Sequence, residues 1–285
     1  MHNASQSGSE MTGAVAFDQM VFSGGGIRCF WHGGFMSVVG AYEDLRPARV
    51  SGVSGGALSA AAWIGGRERE LKMLMEEAFR LTASNFDRQR SNCTPHEEVY
   101  RAVVATTLDA TAIERIVEGP SYQVTLSVPP RHLPTGLAAA YYGILYKFDQ
   151  GLRGTPHLRW TSAAGLGSVT VDARAAARDG RLVDLICAAA TIPPVFDVPH
   201  WYGQRVMDGG MFDKAPFPDP DEGRTLILMT SRYANLPAND ERRIYVQPSR
   251  AVAADKIDFS VPQKVGDTWC QGVEDAQGWP DTPVR

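Results

Sequence analysis

Two glycine-rich turns dominate the first 80 residues, and each lies between a strand-like and a helix-like segment. The first turn, residues 23–26, follows the short apolar run Gln19–Phe22 and precedes a long apolar run at residues 30–45. The second, residues 52–56, follows another short strand-like run and precedes an alanine-rich helical pattern that starts at Ala57. Alternation of strands and helices is typical of parallel sheets joined by helical crossovers. The pattern therefore predicts an α/β fold with a mostly parallel central sheet flanked by helices.

The rest of the chain carries weaker periodic signals. Strand-like runs recur at residues 123–128, 168–171, 225–229 and 243–246, and helical patterns at residues 137–148 and 182–190. A hairpin-like segment at residues 202–207 leads into Asp208-Gly209-Gly210. We predict a small, polar, disordered tail at residues 1–15 and a single domain at residues 16–285, with a variable insertion at about 82–160.

The composition argues against several classes of protein. The formal net charge is −4, from 32 acidic and 28 basic residues, which argues against a nucleic-acid-binding surface. No run reaches the roughly 18 apolar residues that a membrane-spanning helix needs, and the N-terminus lacks the pattern of a secretory signal. The four cysteines lie far apart and form no C-x-x-C pair, so no zinc site or redox motif is predicted. We therefore expect a cytoplasmic protein.

The second glycine-rich turn has the pattern of a nucleophile elbow. Residues 52–56 read G-V-S-G-G and match G-x-S-x-G between a strand and a helix, with Ser54 at the centre. Such a turn holds its serine in a strained conformation, and small neighbours avoid backbone clashes. The helix that follows directs its first N–H groups and its positive dipole end at the serine. A nucleotide-binding loop is not supported, because G-x-x-x-x-G-K-[ST] is absent and Cys29 replaces the third glycine of a dinucleotide fingerprint.

A serine nucleophile needs a base, and the histidines are poorly placed for that role. All six lie at or before His200, so no order Ser…Asp…His can use an Asp beyond position 200. His200 lies beside Trp201, and we expect it to pack there. Asp208 follows a strand-like run and precedes two glycines, which makes it the best candidate for a carboxylate that acts directly on Ser54. In isolation, Asp-Gly-Gly is more typical of a hairpin turn.

These motifs together resemble the patatin-like phospholipase family. Four ordered blocks carry the resemblance: the first glycine-rich loop with Arg28, the elbow, residues 188–196 (A-A-A-T-I-P-P-V-F), and Asp208 with Gly209. The blocks cover roughly residues 19–66 and 168–218. The resemblance implies a three-layer patatin-like α/β fold and a Ser54–Asp208 dyad that works through an acyl-enzyme. It also implies an oxyanion hole whose backbone donors come from Gly24, Gly25, Gly26 and Gly55.

The chain departs from the family pattern at two places. Cys29 stands where many members have glycine after the arginine of the first loop, and we expect it to pack behind the loop. Lys214 occupies the place where the family often has asparagine, shortly before Pro216. Neither change removes a reacting group, but both bear on substrate choice or on positioning.

The resemblance implies a lipid or other acyl-ester substrate, hydrolysed without a metal or cofactor. Two other functions stay open: an acyltransferase that passes the acyl group to an acceptor other than water, and a non-catalytic binding module on the same fold. Arg28 has two interpretations, a substrate-binding residue or a structural one. Residues 137–148 also have two: a buried core helix, which is favoured, or an amphipathic lid or surface that contacts a membrane peripherally.

Overall fold

The strands are short, and most belong to one central sheet. The computed structural model describes residues 17–42, 45–82, 84–87, 94–193 and 196–279, and the tail predicted at residues 1–15 lies outside these ranges. Within them the strands are β1 Gln19–Phe22, β2 Arg49–Val53, β3 Ser121–Val128, β4 Gly167–Asp172, β5 His200–Trp201, β6 Gln204–Arg205, β7 Met207–Asp208, β8 Thr225–Leu228 and β9 Arg243–Val246.

Helices connect these strands and flank the sheet. In the described ranges they are α1 Phe30–Tyr42, α2 Gly55–Gly65, α3 Glu68–Leu81, α4 His96–Thr107, α5 Ala110–Glu118, α6 Thr135–Arg153, α7 Trp160–Ala163, α8 Ala173–Arg178, α9 Leu182–Ala189 and α10 Pro262–Gln277. Two single turns of 3₁₀ helix, Gly26–Cys29 and Gly209–Met211, follow the first glycine-rich loop and Asp208. No helix of the described chain is long and apolar enough to cross a lipid bilayer.

The central sheet is mostly parallel, as the sequence predicts. Its strand order is β4-β3-β2-β1-β8-β9, and β7 pairs with β3 beside this path. The neighbouring pairs β3–β2, β2–β1, β1–β8 and β8–β9 are all parallel. Strands β4 and β7 each run antiparallel to β3. Strand β3 lies inside the range predicted as a variable insertion, so this part of the range belongs to the central sheet.

Both faces of the central strands are buried, which explains their nearly continuous apolar sequences. Met20 and Phe22 of β1 belong to the main core between the sheet and the helices. Val21 faces the other way and aligns across β8 and β9 with Ile227 and Tyr245, in a second apolar cluster. Since successive side chains of a strand point to opposite faces, this alternation follows from the strand geometry.

Helix α6 corrects one interpretation of the sequence. Residues 137–148 were expected to form a buried core helix, and this is right for only one of its faces. The buried face carries Ala138, Ala139, Tyr142 and Tyr146. The outer face carries an apolar stripe whose side chains are 50% to 70% exposed: Leu137, Tyr141, Ile144, Phe148 and Leu152. Spacings of three and four residues place these five side chains on one side of the helix.

The packing of α1 against α10 gives a first prediction. A Cβ atom on Gly34 of α1 would lie 2.0 Å from the backbone oxygen of Trp269 in α10, a distance that backbone cannot accommodate without a shift. We expect Gly34→Ala to lower the free energy of unfolding by about 3 kcal/mol, measured by urea denaturation. Gly40 of the same helix is exposed and a Cβ there meets nothing closer than 4.0 Å. Gly40→Ala should therefore raise stability by about 0.5–1 kcal/mol, and equal effects of the two variants would contradict this account.

Candidate active site

Ser54 lies on a sharp turn between the end of β2 and the start of α2. Its backbone angles are φ 54° and ψ −138°, a conformation that residues other than glycine rarely adopt. Strain of this kind is tolerated where the surrounding structure holds it and is frequent at functional sites. Gly56 is required by a close approach, because a Cβ there would lie 2.3 Å from the backbone oxygen of Phe22. The turn thus has the geometry expected of a nucleophile elbow.

Sheet register brings Asp208 next to Ser54. In the parallel pair β2–β3, Val53 is the partner of Thr125, so Ser54 follows at the level of Leu126. In the antiparallel pair β3–β7, Leu126 is the partner of Asp208. Strand β7 therefore continues along the edge of β3 where β2 ends, and two residues separated by 154 positions in sequence become neighbours.

The two side chains form a direct hydrogen bond. Ser54 Oγ donates to Asp208 Oδ2 at 2.6 Å, and the two residues are 4% and 2% exposed. The second carboxylate oxygen, Oδ1, accepts a bond from the backbone N–H of Gly210 at 2.7 Å. The backbone of Asp208 is held as well, because its N–H donates to Thr191 and its carbonyl accepts from the hydroxyl of Ser127, both at 2.8 Å. The carboxylate is thereby oriented towards the serine.

Glycines from two loops line the space around Ser54: Gly25 and Gly26 from the first loop, and Gly55 from the elbow. The backbone N–H groups of these three glycines have no hydrogen-bond partner among the described residues. Gly55 is the first residue of α2, where N–H groups lack partners inside the helix and the dipole favours negative charge. Gly24 differs, because its N–H donates to the backbone oxygen of Lys214 at 2.9 Å. This bond corrects the expectation that Gly24 is also a free donor.

Two cavities meet at Ser54. The narrower one has a volume of about 50 Å³ and mostly apolar walls. The larger one has a volume of about 430 Å³, opens beside Asp208 and carries lysine and tyrosine side chains on its walls. Residues of the narrow cavity include Leu58, Leu71, Met75, Tyr100, Phe196 and Phe259.

Comparison with known proteins places this site in a family. The model of the patatin-like phospholipase family matches residues 20–221 of the sequence. The chain belongs to this family. Patatin-like phospholipases are lipid acyl hydrolases, and at that level the activity is assigned to this protein as well. The sequence-based resemblance to the family is confirmed.

Comparison with solved structures gave further similarities. VipD from Legionella pneumophila is similar with a TM-score of 0.52 and 11% sequence identity, over 93% of this chain and 67% of the VipD chain. The type III effector protein ExoU gives a TM-score of 0.37 and 13% identity, over 93% of this chain and 53% of ExoU, so this chain spans about half of it. A search of curated proteins by sequence gave no match. At 11% identity, the likeness to VipD shows the patatin-like fold alone.

The other residues singled out in the patatin-like motifs lie around the site. Cys29 is buried behind the first loop, as expected, and burial raises the pKa of its thiol, which makes it a poor nucleophile. Arg28 is half-buried and donates to the backbone oxygen of Ala254 and to the hydroxyl of Ser231, at 3.2 and 3.3 Å. It lines neither cavity, a position that favours the structural interpretation of this arginine.

Histidine takes no part in the described site. No described histidine forms a hydrogen bond to Ser54 or Asp208, and the Nε2 atoms of His32 and His96 face backbone oxygens elsewhere. His200 was expected to pack beside Trp201, but it is exposed on β5, so that expectation is wrong. Among the described residues, no group of three or more His, Cys, Asp or Glu side chains could hold a metal ion.

Sequence reasoning missed several residues of the larger cavity. Tyr146 and Lys147 of α6, Ile192, and Lys256 all line it together with Lys214. Lys214 carried a sequence signal, since it replaces the asparagine that is often found in the family. Tyr146 and Lys147 lie in the helical pattern at residues 137–148 and Ile192 in the block at residues 188–196, but neither segment was predicted to line a cavity. Lys256 lies in a long segment between β9 and α10 that has no periodic pattern, so nothing in the local sequence marks it.

Proposed function

We propose that this protein hydrolyses lipid acyl esters with a Ser54–Asp208 dyad. The observation that carries the proposal is the 2.6 Å hydrogen bond between the serine on its strained elbow and the oriented carboxylate, at the junction of two cavities. A nucleophile in hydrogen-bond contact with a base that is itself oriented is the arrangement that nucleophilic catalysis requires.

The geometry supports a two-step mechanism. Asp208 Oδ2 accepts the proton as Ser54 Oγ attacks the ester carbonyl, and the tetrahedral oxyanion binds to the N–H groups of Gly25, Gly26 and Gly55. The intermediate then collapses to an acyl-enzyme, and the alcohol leaves with the proton from Asp208. A water molecule gives its proton to Asp208 and attacks the acyl-enzyme. The second tetrahedral intermediate collapses, and Ser54 Oγ leaves with the proton from Asp208. The products are a fatty acid and regenerated Ser54.

The two cavities suggest how a lipid ester is oriented. The narrow cavity has walls of Leu58, Met75 and Phe259 and suits the acyl chain, since apolar surface gains free energy when it leaves water. The larger cavity has polar as well as apolar walls and suits the alcohol part of the ester. The ester carbonyl then lies at Ser54, where the cavities meet.

The outer face of α6 supports contact with a membrane surface. Its exposed apolar stripe includes Ile144, which also lines the larger cavity. An amphipathic helix of this kind lies in the plane of a membrane interface with its apolar side in the lipid. Contact through this stripe would bring the mouth of the larger cavity to the lipid layer.

The proposal is tested by active-site labelling and product analysis. We expect a fluorophosphonate probe to form one adduct, on the peptide that contains Ser54, detected by mass spectrometry. We also expect phospholipid vesicles to yield free fatty acid that carries ¹⁸O when the reaction runs in H₂¹⁸O. If the probe labels Ser54 but acyl products form only when an alcohol is added, the protein is a transferase. A folded protein with neither adduct nor product would contradict the proposal.

A further inference from the structure

The lysines of this chain are concentrated at one cavity. Of five lysines in the sequence, Lys147, Lys214 and Lys256 line the larger cavity beside Ser54. Lys147 is exposed at the mouth, while Lys256 is half-buried and Lys214 is only 7% exposed. In a protein with a formal net charge of −4, this arrangement makes the cavity a local positive region.

Lys214 is built into the wall of the site. Its backbone oxygen accepts the N–H of Gly24, which fixes it to the first glycine-rich loop. Its ammonium lies 4.5 Å from the ring centroid of Tyr146 and close to Gly210, where a Cβ atom would lie 2.8 Å from Nζ. The second glycine of the Asp-Gly-Gly motif thus leaves the space that this lysine occupies.

Lys256 reaches the same tyrosine from a different segment. Its Nζ forms a hydrogen bond with the hydroxyl of Tyr146 and lies 5.0 Å from the ring centroid. Burial and the charge of Lys214 lower the pKa of Lys256. Burial raises the pKa of Tyr146, but the two ammonium groups outweigh this effect and bring it down to about 8. Both shifts indicate an excess of positive charge around the phenol.

The two ammonium groups lack an anionic partner of their own. No carboxylate lies within 4.0 Å of either Nζ among the residues that the structure describes. Burial lowers the pKa of Lys214, but Tyr146 and Asp208 outweigh this effect and raise it. The two oxygens of Asp208 already bind Ser54 and Gly210, so this carboxylate is not free to pair with the lysine. Because unpaired charge in a partly buried site is costly, the cluster is suited to an anion that enters from the cavity.

We propose that Lys214, Lys256 and the hydroxyl of Tyr146 form a subsite for a phosphate group on the alcohol part of the acyl-ester substrate. The inference rests on the proposed function, because it needs the ester carbonyl at Ser54. A phosphate has several acceptor oxygens and accepts short, charge-assisted hydrogen bonds from ammonium groups. The subsite and Ser54 share one cavity, so a single molecule can reach both. Lys214 stands where the family often has asparagine, so the subsite depends on a residue at which this chain departs from the family pattern.

Two substrates that differ only in the phosphate test the subsite. We expect wild type to have a kcat/KM at least about 10-fold higher for octanoyl lysophosphatidate than for monooctanoylglycerol, both below micelle formation. Lys256→Met and Lys214→Met should each reduce this ratio by about 10- to 100-fold. Lys72→Met is the matched control, because Lys72 pairs with Glu76 at 2.7 Å and lines neither cavity. Thermal unfolding shows whether each variant is folded. If Lys214→Met does not fold, the result for Lys256→Met decides the test, since Lys256 is only half-buried.

A binding measurement separates failure of the subsite from failure of the hydrolase. Calorimetry on Ser54→Ala is expected to show binding of sn-glycerol 3-phosphate that weakens at least about 10-fold when Lys256→Met is added. If wild type hydrolyses no ester but this binding holds, the proposed function fails, and the cluster remains a phosphate-binding site without a role in substrate choice. If hydrolysis occurs but neither binding nor the substrate ratio depends on Lys256, the subsite is refuted. If inorganic phosphate binds but Lys256→Met leaves the kcat/KM ratio of the two substrates unchanged, the cluster binds free phosphate. That result would overturn its role in substrate choice.

Discussion

Replacement of Ser54 by alanine is expected to lower kcat/KM for ester hydrolysis by about 10⁴-fold or more. The reason is chemical, because no acyl-enzyme can form without the hydroxyl that donates to Asp208 at 2.6 Å. Positioning and the free N–H groups of Gly25 and Gly26 remain, so a small residual rate above the uncatalysed reaction is expected. The measurement is steady-state hydrolysis of p-nitrophenyl esters of short and medium chain length.

The control for this variant is a serine-to-alanine change away from the site, in helix α1. Ser37 of α1 donates to the backbone oxygen of Gly34 at 2.7 Å and lines neither cavity. Ser37→Ala should keep kcat/KM within about twofold of wild type, since Ser37 is only half-buried and lies away from both cavities. Retention of more than a tenth of the wild-type rate by a folded Ser54→Ala protein would show that another residue is the nucleophile.

Asp208→Asn is expected to lower kcat by about 10²- to 10⁴-fold, the contribution that general-base catalysis typically makes. Asparagine has nearly the same shape and can still accept the N–H of Gly210, so the fold should change little. It cannot accept the proton of Ser54 in the first step or the proton of water in the second. Single-turnover experiments with a fluorophosphonate should show slower labelling of Ser54, since the serine is then no longer activated.

A second carboxylate in the same segment supplies the comparison. Asp213 lies five residues further on, contacts His157 Nδ1 at 3.1 Å and lines neither cavity. Asp213→Asn removes the same charge from the same region of the chain, and we expect kcat to fall by less than about threefold, since it touches no reacting group. Equal losses in the two variants would mean that charge in this segment, and not a base at position 208, sustains the reaction.

Much of the fold could be predicted because its signals are local. The first glycine-rich turn and the apolar run before it predicted β1 at Gln19–Phe22, and a strand-like run further on predicted β9 at Arg243–Val246. Each signal depends on a period of two or on a turn residue within a few positions of the element. The family resemblance added the identity of the fold, which the order of elements alone leaves open.

Helix α6 shows where local periodicity stops being informative. Its sequence has apolar side chains on two faces, and periodicity alone cannot say which of them the protein covers. The sheet and the loop after Asp208 cover the face with Ala138 and Tyr142, and leave Leu137 and Ile144 exposed. That choice depends on the positions of other elements, so it was outside the reach of a reading of residues 137–148.

By itself, the sequence determined the α/β order of elements, the elbow with Ser54 and the candidacy of Asp208, because each is written in neighbouring residues. Only the tertiary structure decided that the side chains of Ser54 and Asp208 form a hydrogen bond of 2.6 Å. It also decided that the N–H of Gly24 donates to the backbone oxygen of Lys214, and that Arg28 lies away from the cavities. It also brought Tyr146 and Lys256, 110 positions apart, into contact. Such contacts depend on strand register and on the packing of loops, and no local period of the chain encodes them.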